Sequence, residues 1–394
     1  MTFPTASDSP HRAPKISRVA LKDFRCYRAL DLRTGSTMVA LAGDNGAGKT
    51  NLLEALSLFT PGRGLRRAEL SEMPREGGGG GFAVSLEMSG EEGGSLQLGA
   101  GLEISDGASQ RKFRLDREPI PSARPFADHL RIVWLTPSMD GLFTGPAGDR
   151  RRFLDRLVLA VDSEHGARVN AMERALRNRN RLLEERRTEK IWLDAAEREI
   201  SELAMAVTAA RRETVERLTA LIAASRDESS PFPWAEIAVD GEIDRLIAER
   251  PALEAEDMYR AILRDNRSRD AAAGRTLIGP QASDLLVRHG PKQCEARRAS
   301  TGEQKALLVG LILAHARLVA AMSGMAPLVL LDEIAAHFDP ARRAALFQSL
   351  QALGGQVWMT GADLALFQDL RGRADIFKVS NGAIGLVESA GEAE

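Results

Sequence analysis

The sequence feature that most restricts the possible folds is the octapeptide GDNGAGKT at 43–50, which satisfies every fixed position of the pattern G-x-x-x-x-G-K-T. The apolar residues at 38–42 predict a buried strand before it, and the apolar spacing over 51–59 predicts a helix after it. A glycine-rich loop between a strand and the start of a helix gathers backbone N–H groups around an anion. The chain is therefore predicted to contain an α/β unit with a phosphate-binding loop.

Within this loop, two side chains have distinct chemical tasks. The Lys49 ammonium group is expected to contact the β and γ phosphate oxygens of ATP, and the Thr50 hydroxyl is expected to bind Mg²⁺. ATP and Mg²⁺ are thus the predicted cofactors. The residues predicted to contact the nucleotide are Gly43, Asp44, Asn45, Gly46, Ala47, Gly48, Lys49 and Thr50.

Two adjacent carboxylates, Asp332 and Glu333, follow an apolar run at 327–331 that predicts a second buried strand. We predict that Asp332 joins Thr50 in the Mg²⁺ shell and that Glu333 is the catalytic base that polarises the attacking water, with Lys49 as the other catalytic residue. A strand that ends in Asp-Glu is a weak pattern by itself and also fits a solvated strand end. The Asp-Glu pattern becomes a strong indication because the same chain also contains the phosphate loop.

A third candidate segment, Ser300 to Glu303, opens an apolar-faced helix that is expected to run to about residue 322. The Ser300 hydroxyl and the Gly302 backbone would lie at the positive end of this helix, where a γ-phosphate is favoured. Ser300, Gly302 and Glu303 are therefore predicted to contact nucleotide. An ordinary helix N-cap remains the alternative for Ser300.

The phosphate loop, Ser-x-Gly-Glu, Leu-Leu-Asp-Glu and then Asp339-Pro340 occur in the order that is typical of ATP-binding-cassette (ABC) ATPases, and the chain resembles that superfamily. The implied fold class is α/β: an ABC-type ATPase core, with a mixed sheet and flanking helices, that carries a helical insertion domain. The resemblance also implies an ATP-dependent homodimer, in which the Ser300 segment of one copy closes on the nucleotide of the other, and a nucleotide contact at Asp339. Such closure couples the nucleotide state to the shape of a clamp.

The apolar pattern along the 394 residues predicts four segments. A loose N-terminal arm at 1–15 precedes the first part of the ATPase core at 16–150, where strand patterns dominate. A period of 3.6 then predicts a mainly helical insertion domain at 151–275. The second part of the core, at 276–394, is expected to include a strand at 284–287.

Composition indicates a globular protein and restricts the ways in which it could bind nucleic acid. Hydrophobic residues at 44% and charged residues at 27% are ordinary globular values, and the net charge of −2 requires a local basic patch for any nucleic-acid partner. The aromatic content of 5% disfavours a base-stacking platform.

The location of the protein is predicted from its cysteines and its apolar runs. Cys26 and Cys294 lack metal-ligand spacing and fit a reducing compartment. The N-terminus has no apolar leader, and the apolar run at 306–314 is too short to span a bilayer. We predict a cytoplasmic protein without a membrane partner.

Finer features resemble the RecF family of bacterial recombination mediators. The resemblance extends from about residue 16 to 387 and includes the Phe-Arg-x-Tyr signature, the extended phosphate-loop block and the entry to the helical domain. The segments that carry it are 21–27, 43–55, 136–137, 145–146, 149–155, 179–183 and 279–284.

This resemblance implies a DNA-binding ATPase that acts in recombinational repair on gapped or junction DNA, both double-stranded and single-stranded. It further implies RecO and RecR mediators as partners and a role in placing RecA recombinase. Neither composition nor spacing indicates these properties.

The sequence departs from the family at three places. Gln281, Ala282 and Ser283 replace the usual His, Arg and Asp, so the contacts of that segment are in question. The segment at 137–140 has no glutamine, and Thr360-Gly361 stands where a histidine usually follows the strand at 357–359. We therefore predict slow, switch-like hydrolysis.

An arginine-rich stretch is the only local basic feature that we associate with DNA. Phosphate contact by this stretch would give salt-sensitive binding without sequence preference, whereas a solvated helix face with ion pairs is the alternative. The acidic residues that partly offset it are Asp155, Asp162, Glu173, Glu184 and Glu185. The arginines are Arg150, Arg151, Arg152, Arg156, Arg168, Arg174, Arg177, Arg179, Arg181, Arg186 and Arg187.

Two other functions stay open from the residues alone. A transporter energy-coupling subunit is disfavoured by the helical insertion and by the missing glutamine. A nucleotide-dependent scaffold with negligible hydrolysis is disfavoured by Glu333, which a pure binder does not need, and favoured by the missing histidine. His337 is a candidate for contact across the dimer interface, although a lone loop histidine is more often solvated.

Overall fold

A computed structural model of the chain describes residues 12–89, 94–105, 108–185, 189–334 and 338–391. The chain divides into two compact units. The first unit consists of Met1–Met139 and Ile312–Glu394, and the second consists of Asp140–Leu311.

The described elements are numbered in chain order. The strands are β1 Lys15–Phe24, β2 Tyr27–Arg33, β3 Met38–Ala42, β4 Phe82–Ser89, β5 Ser95–Ser105, β6 Ala108–Leu115, β7 Glu118–Ile120, β8 Ile132–Leu135, β9 Ala235–Asp240, β10 Asp284–His289, β11 Cys294–Glu295, β12 Leu328–Leu331, β13 Val357–Gly361, β14 Asp375–Ser380 and β15 Ala383–Glu388. The α-helices are α1 Lys49–Ser57, α2 Ala147–Val161, α3 His165–Glu184, α4 Lys190–Ala224, α5 Glu242–Glu249, α6 Ala252–Asp265, α7 Arg267–Ala273, α8 Thr301–Ser323 and α9 Pro340–Gln351.

The central sheet of the first unit positions the candidate site. Its strand order is β15-β14-β3-β13-β12-β8, and all neighbours pair in parallel except β14 and the edge strand β15. The strands β3 and β12 are apolar and buried throughout, and every residue of β13 is buried, as is typical of a parallel sheet covered on both faces. The carboxyl ends of β3, β12 and β13 therefore meet at one edge of the sheet, where ligands bind in folds of this kind.

A second sheet in the first unit is antiparallel, with the order β2-β1-β4-β5-β6-β7. Its buried face is clearest on β4, where every second residue, Phe82, Val84, Leu86 and Met88, is buried. This face shares one hydrophobic core with α1 and the central sheet. Apolar packing against both sheets thus holds α1, the helix that follows the phosphate loop, in position.

The second unit is mainly helical and has its own core. Met172 and Leu176 from α3 pack with Ile200 and Val207 from α4 and with Tyr259 from α6. A small three-stranded sheet, in the order β11-β10-β9, completes the unit.

The bounds of this unit differ from the predicted insertion at 151–275, and the strand predicted in the ATPase core at 284–287 belongs to the second unit. β10 pairs with β9 over six residues, from Asp284 with Asp240 to His289 with Ala235. Arg150 donates two hydrogen bonds to Asp284, at 2.8 and 2.7 Å, which ties α2 to β10. These contacts join segments far apart in sequence, so the apolar pattern along the chain does not reveal them.

A buried arginine organises the helices of the second unit. The Arg179 side chain is 0% exposed and donates hydrogen bonds to Glu197 (3.1 Å), Asp270 (2.7 Å), the Thr276 hydroxyl (2.8 Å) and the Leu263 carbonyl (2.6 Å). A buried charge is tolerated when it is paired and hydrogen-bonded, and here two carboxylates pair with the guanidinium group, which donates four hydrogen bonds. Arg179 therefore holds the helices together, and its inclusion among the arginines that could contact DNA was wrong.

Among the described residues, α8 is the one helix that is long and apolar enough to cross a membrane. Within its most apolar 18 residues, 72% are buried inside the protein. Leu307, Leu311 and Val319 are among the side chains that it contributes to the interior. This helix therefore has the burial of a core helix.

Asp375 connects the start of β14 to the turn before β3, and its ionised carboxylate makes the stability of this connection depend on pH. One carboxylate oxygen accepts hydrogen bonds from the Thr34 hydroxyl (2.7 Å) and from the backbone N–H groups of Gly35 (2.8 Å) and Ser36 (3.0 Å). The other accepts from the N–H of Ala390 at 3.1 Å. Burial acts to raise the pKa of Asp375, but these hydrogen bonds outweigh it and lower the pKa below the usual 3.8.

We expect Asp375→Asn to lower the free energy of unfolding by about 1–3 kcal/mol at pH 7, since the amide nitrogen must face N–H donors in either orientation. The lowered pKa of Asp375 means that its contribution is complete above the unfolded pKa and is lost as the pH falls through the folded pKa. The difference between the two proteins should therefore shrink from about pH 5 towards about pH 2. Urea titrations across this range measure it, and a difference that is constant with pH would contradict the role of the ionised carboxylate.

Candidate nucleotide-binding and hydrolysis site

The phosphate loop connects β3 to α1 and depends on glycine where the chain packs tightly. Gly48 has a φ of 115°, and a Cβ atom there would lie 2.7 Å from Cys26 Sγ and 2.9 Å from Tyr27 Oη. A Cβ at Gly43 would overlap the Val379 carbonyl oxygen. Only glycine satisfies both the backbone conformation and the close approach.

Neighbouring strands hold the loop in place. The buried Tyr27 hydroxyl donates a hydrogen bond to the Gly48 carbonyl at 3.0 Å, and burial raises the pKa of Tyr27 well above its usual value. The N–H of Gly382 donates to the Ala47 carbonyl at 3.1 Å. These bonds fix the loop before any ligand binds, which lowers the entropic cost of binding. The sequence indicated Tyr27 only as part of a signature, without a role.

Lys49 is the first residue of α1, and its buried ammonium group lies within the loop. Nζ donates to the carbonyl oxygens of Gly43 at 2.5 Å and Asp44 at 3.0 Å, and it lies 3.6 Å from Glu333 Oε1. The structure thus brings the two predicted catalytic side chains into one ion pair, although 284 residues separate them in the sequence.

Asp332 follows β12 and lies beside Thr50, as the predicted metal shell requires. The Thr50 hydroxyl is 2.9 Å from Asp332 Oδ1 and 3.1 Å from Oδ2. A second hydroxyl, that of Thr360 at the end of β13, donates to Asp332 Oδ1 at 2.8 Å. Burial of Asp332 raises the pKa of its carboxyl, and the two hydroxyl bonds partly oppose that shift.

Glu333 has an unusual backbone. Its φ is 52°, in the left-handed region that residues other than glycine seldom adopt, and its N–H donates to the Thr360 hydroxyl at 2.8 Å. The side chain is 32% exposed, so water can reach the carboxylate. A carboxylate that is open to water and paired with the loop lysine is suited to accept a proton from an attacking water.

These residues fit ATP and Mg²⁺. Hydroxyl and carboxylate oxygens, as on Thr50 and Asp332, are the ligands that Mg²⁺ prefers, and it is usually bound by one or two carboxylates together with substrate phosphates. Among the described residues no group of three or more His, Cys, Asp or Glu side chains could hold a metal ion. As is usual for this ion, bound Mg²⁺ would take part of its oxygen ligands from the nucleotide phosphates and from water.

Ser300, Gly302 and Glu303 lie at the start of α8 in the second unit. The Glu303 carboxylate forms a salt bridge with Lys292 Nζ at 2.5 Å and accepts a hydrogen bond from the N–H of Ser300 at 3.0 Å. These contacts lower the pKa of Glu303 to about 2. Ser300 and Gly302 are exposed, and a Cβ at Gly302 would meet no atom within 4 Å. Within one chain, Glu303 thus caps the helix while an open surface remains at Ser300 and Gly302.

Comparisons with known proteins identify the family. The family model described as RecF/RecN/SMC N terminal domain matches residues 15–384. The chain is 52% identical over 375 residues to the DNA replication and repair protein RecF of Rhizobium rhizogenes, covering 95% of this chain and 99% of the relative. The chain belongs to the RecF family. A RecF protein of Mesorhizobium japonicum is 51% identical over the same length, covering 98% of the relative.

Solved structures agree on the fold. A structure titled as the recombination mediator protein RecF-ATPrS in the RecFOR pathway has a TM-score of 0.83 at 19% identity, over 96% of this chain and 99% of that chain. An Smc head domain from Pyrococcus furiosus has a TM-score of 0.52 at 16% identity, over 95% of this chain and 96% of that chain. The predicted RecF resemblance and the predicted ABC-type ATPase fold with a helical insertion are therefore confirmed.

Asp339 of this RecF-family chain was predicted to contact nucleotide. The structure places it before α9, where its side chain accepts a hydrogen bond from the N–H of Arg342 at 3.0 Å. This is an ordinary N-cap, so the nucleotide contact stays a prediction. His337 lies outside the described residues.

Several arginines of the predicted DNA-contact stretch are committed to partners within the second unit. Besides the buried Arg179, Arg150 binds Asp284, Arg168 binds Asp162 at 2.7 Å, and Arg151 donates to the Ser283 carbonyl at 2.7 Å. The exposed members on α3 are Arg174, Arg177 and Arg181, of which Arg177 lies 3.8 Å from Glu173. Arg186 and Arg187 lie outside the described residues.

Proposed function

We propose that this RecF-family chain is an ATP-dependent DNA-binding protein of recombinational repair. Two copies associate when ATP is bound, engage gapped or junction DNA, and act with RecO and RecR mediators to aid RecA loading. Slow ATP hydrolysis then resets the clamp. The observation that carries the proposal is the assembly of Lys49, Thr50, Asp332 and Glu333 at one sheet edge in a chain of this family.

The proposed chemistry follows from this arrangement. Lys49 binds the phosphate oxygens, and Glu333 accepts a proton from a water whose oxygen attacks the γ-phosphorus. The bond from that phosphorus to the β-phosphate oxygen breaks, and ADP and phosphate are released. Thr50 and Asp332 would hold Mg²⁺, which when bound would supply positive charge to neutralise the phosphate oxygens.

The identity of the partners rests on relatives. The curated relatives are named DNA replication and repair proteins, and the structural neighbour is titled a recombination mediator in the RecFOR pathway. Slow turnover is supported by the segment from Thr360 to Asp363, which lacks the histidine that follows the corresponding strand in many ABC ATPases. A cytoplasmic location is part of the proposal.

For DNA contact we propose the exposed arginines of α3. Arg174, Arg177 and Arg181 are spaced at i, i+3 and i+7, so they share one face of the helix. Three guanidinium groups in a row can contact successive phosphates without reading the bases.

The test is binding of Glu333→Gln protein to gapped duplex DNA with and without ATP across a salt series. We expect ATP to tighten binding, the logarithm of the association constant to fall linearly with that of the salt concentration, and Lys49→Ala protein to show no ATP response. Replacing Arg174 and Arg181 by alanine should reduce the salt slope by about 2 for each copy that contacts DNA, whereas Arg198→Ala on α4 should leave the slope unchanged. If ATP binds but DNA affinity is weak and unchanged, the proposal fails.

A further inference from the structure

Thr360 is the last residue but one of β13, which lies between β3 and β12 in the central sheet. Leu331 is opposite Met359 in the parallel pair of β12 and β13, so the next residues, Asp332 and Thr360, lie side by side. The Thr360 side chain is 1% exposed. It is thus a buried hydroxyl beside the two carboxylates of the candidate site.

The Thr360 hydroxyl donates one hydrogen bond and accepts another. It donates its proton to Asp332 Oδ1 at 2.8 Å and accepts the N–H of Glu333 at 2.8 Å. A hydroxyl has a single proton, and here that proton is committed to the carboxylate. One atom therefore fixes the side chain of Asp332 and the backbone of Glu333 together.

Both neighbours need such support. Asp332 is buried, and the Thr50 hydroxyl, its other donor, is itself expected to bind the metal ion. Glu333 has the left-handed φ of 52°, which is strained for a residue with a Cβ and persists only where surrounding contacts enforce it. The threonine is β-branched, so its own χ1 is restricted and its hydroxyl is held in one direction.

We propose that Thr360 is a positioning residue for hydrolysis: through one hydroxyl it orients Asp332 towards the metal ion and Glu333 towards the attacking water. This inference rests on the proposed ATPase function and deepens it. Thr360 contacts neither ATP nor water in the proposal and acts only through the two carboxylates. Thr360 begins the segment 360–363, in which the sequence has no histidine, and its two hydrogen bonds would keep the base of a slow site in position.

The test compares Thr360→Val, which removes the hydroxyl but keeps the branched shape, with Thr360→Ser, which keeps the hydroxyl. Thr214→Val is the matched control, because Thr214 is also buried but its hydroxyl bonds only the Ala210 carbonyl of its own helix. Three quantities are measured: the thermal unfolding midpoint, the ATP turnover number, and the Mg²⁺ concentration that gives half-maximal binding of a fluorescent ATP analogue.

For Thr360→Val we expect turnover to fall about 10- to 100-fold and the half-maximal Mg²⁺ concentration to rise, as for residues that orient metal ligands. Thr360→Ser should restore both, and Thr214→Val should change neither. A purely structural role would lower the unfolding midpoint without moving the Mg²⁺ titration. If Thr360→Val does not fold, Thr360→Ala replaces it and is judged by the same measurements.

The inference is overturned if the folded Thr360→Val protein matches the wild type in both turnover and Mg²⁺ dependence. Wild-type and Glu333→Gln proteins measured in parallel separate this failure from failure of the proposed function. If those two hydrolyse ATP at equal rates, Glu333 is not the base and the hydrolytic part of the proposed function has failed. If they differ and Thr360→Val equals the wild type, the positioning role alone is wrong.

Discussion

Glu333→Gln protein is expected to hydrolyse ATP about 10²- to 10⁴-fold more slowly than the wild type, because an amide cannot accept the proton of the attacking water. ATP binding should persist, since Lys49 keeps its bonds to the Gly43 and Asp44 carbonyls and glutamine has nearly the same shape as glutamate. Single-turnover hydrolysis gives the rate of the chemical step, and a fluorescent ATP analogue gives the affinity.

Glu87→Gln is the matched control. Glu87 lies on β4 in the same unit, its side chain is 35% exposed against 32% for Glu333, and it also pairs with a basic residue, Arg18, at 2.8 Å. We expect this variant to turn over ATP at the wild-type rate. Equal rates for Glu333→Gln and the wild type would show that Glu333 is not the base.

Arg179→Met is expected to destabilise the second unit by about 3–5 kcal/mol, because it leaves the buried carboxylate of Asp270 without its counter-charge. Asp270 loses the guanidinium group that pairs with it at 2.7 Å, whereas Glu197 keeps Arg267, at 2.9 Å. The Leu263 carbonyl and the Thr276 hydroxyl also lose a donor. Urea titration measures the loss in the free energy of unfolding, and hydrogen exchange of peptides from α3 and α4 shows whether the loss lies in these helices.

Arg198→Met is the control for the removal of an arginine from this helical unit. The Arg198 side chain is 71% exposed and pairs with Glu202 one turn along α4, at 3.2 Å. A solvated pair of this kind contributes little, so we expect a change within about 0.5 kcal/mol. If the two variants unfolded at the same urea concentration, the buried network around Arg179 would not be what holds the helices together.

Local sequence was sufficient to predict the elements that build the site. The loop at 43–50 and the strand that ends at Asp332 each carry a short pattern whose chemistry depends on adjacent residues. Order along the chain then indicated the superfamily. The contact between Lys49 and Glu333 agrees with this interpretation, because both patterns place their polar residues at the carboxyl ends of parallel strands.

Features that depend on strand order or helix packing were not predictable in this way. Thr360 gains its importance because β13 lies beside β12, and nothing in the sequence around 357–361 gives that order. Arg179 looked like a member of a basic surface, but its burial is set by Glu197 and Asp270, which are 18 and 91 residues away. The strand at 284–289 is assigned to the second unit by its pairing with β9 and by the hydrogen bonds from Arg150 of α2 to Asp284, neither of which the local sequence reveals.

The measurement that tests the central claim most directly is hydrolysis by a mixture of two inactive proteins, Lys49→Ala and Ser300→Arg. In the proposed ATP-gated dimer, each site joins Lys49 of one copy to the exposed Ser300 segment of the other. A mixed dimer then regains one intact site of two, and since half of the dimers are mixed, turnover should recover to about a quarter of the wild-type value. If each chain instead completed its own site, the mixture would stay as inactive as its components, and the ATP-gated dimer would be contradicted.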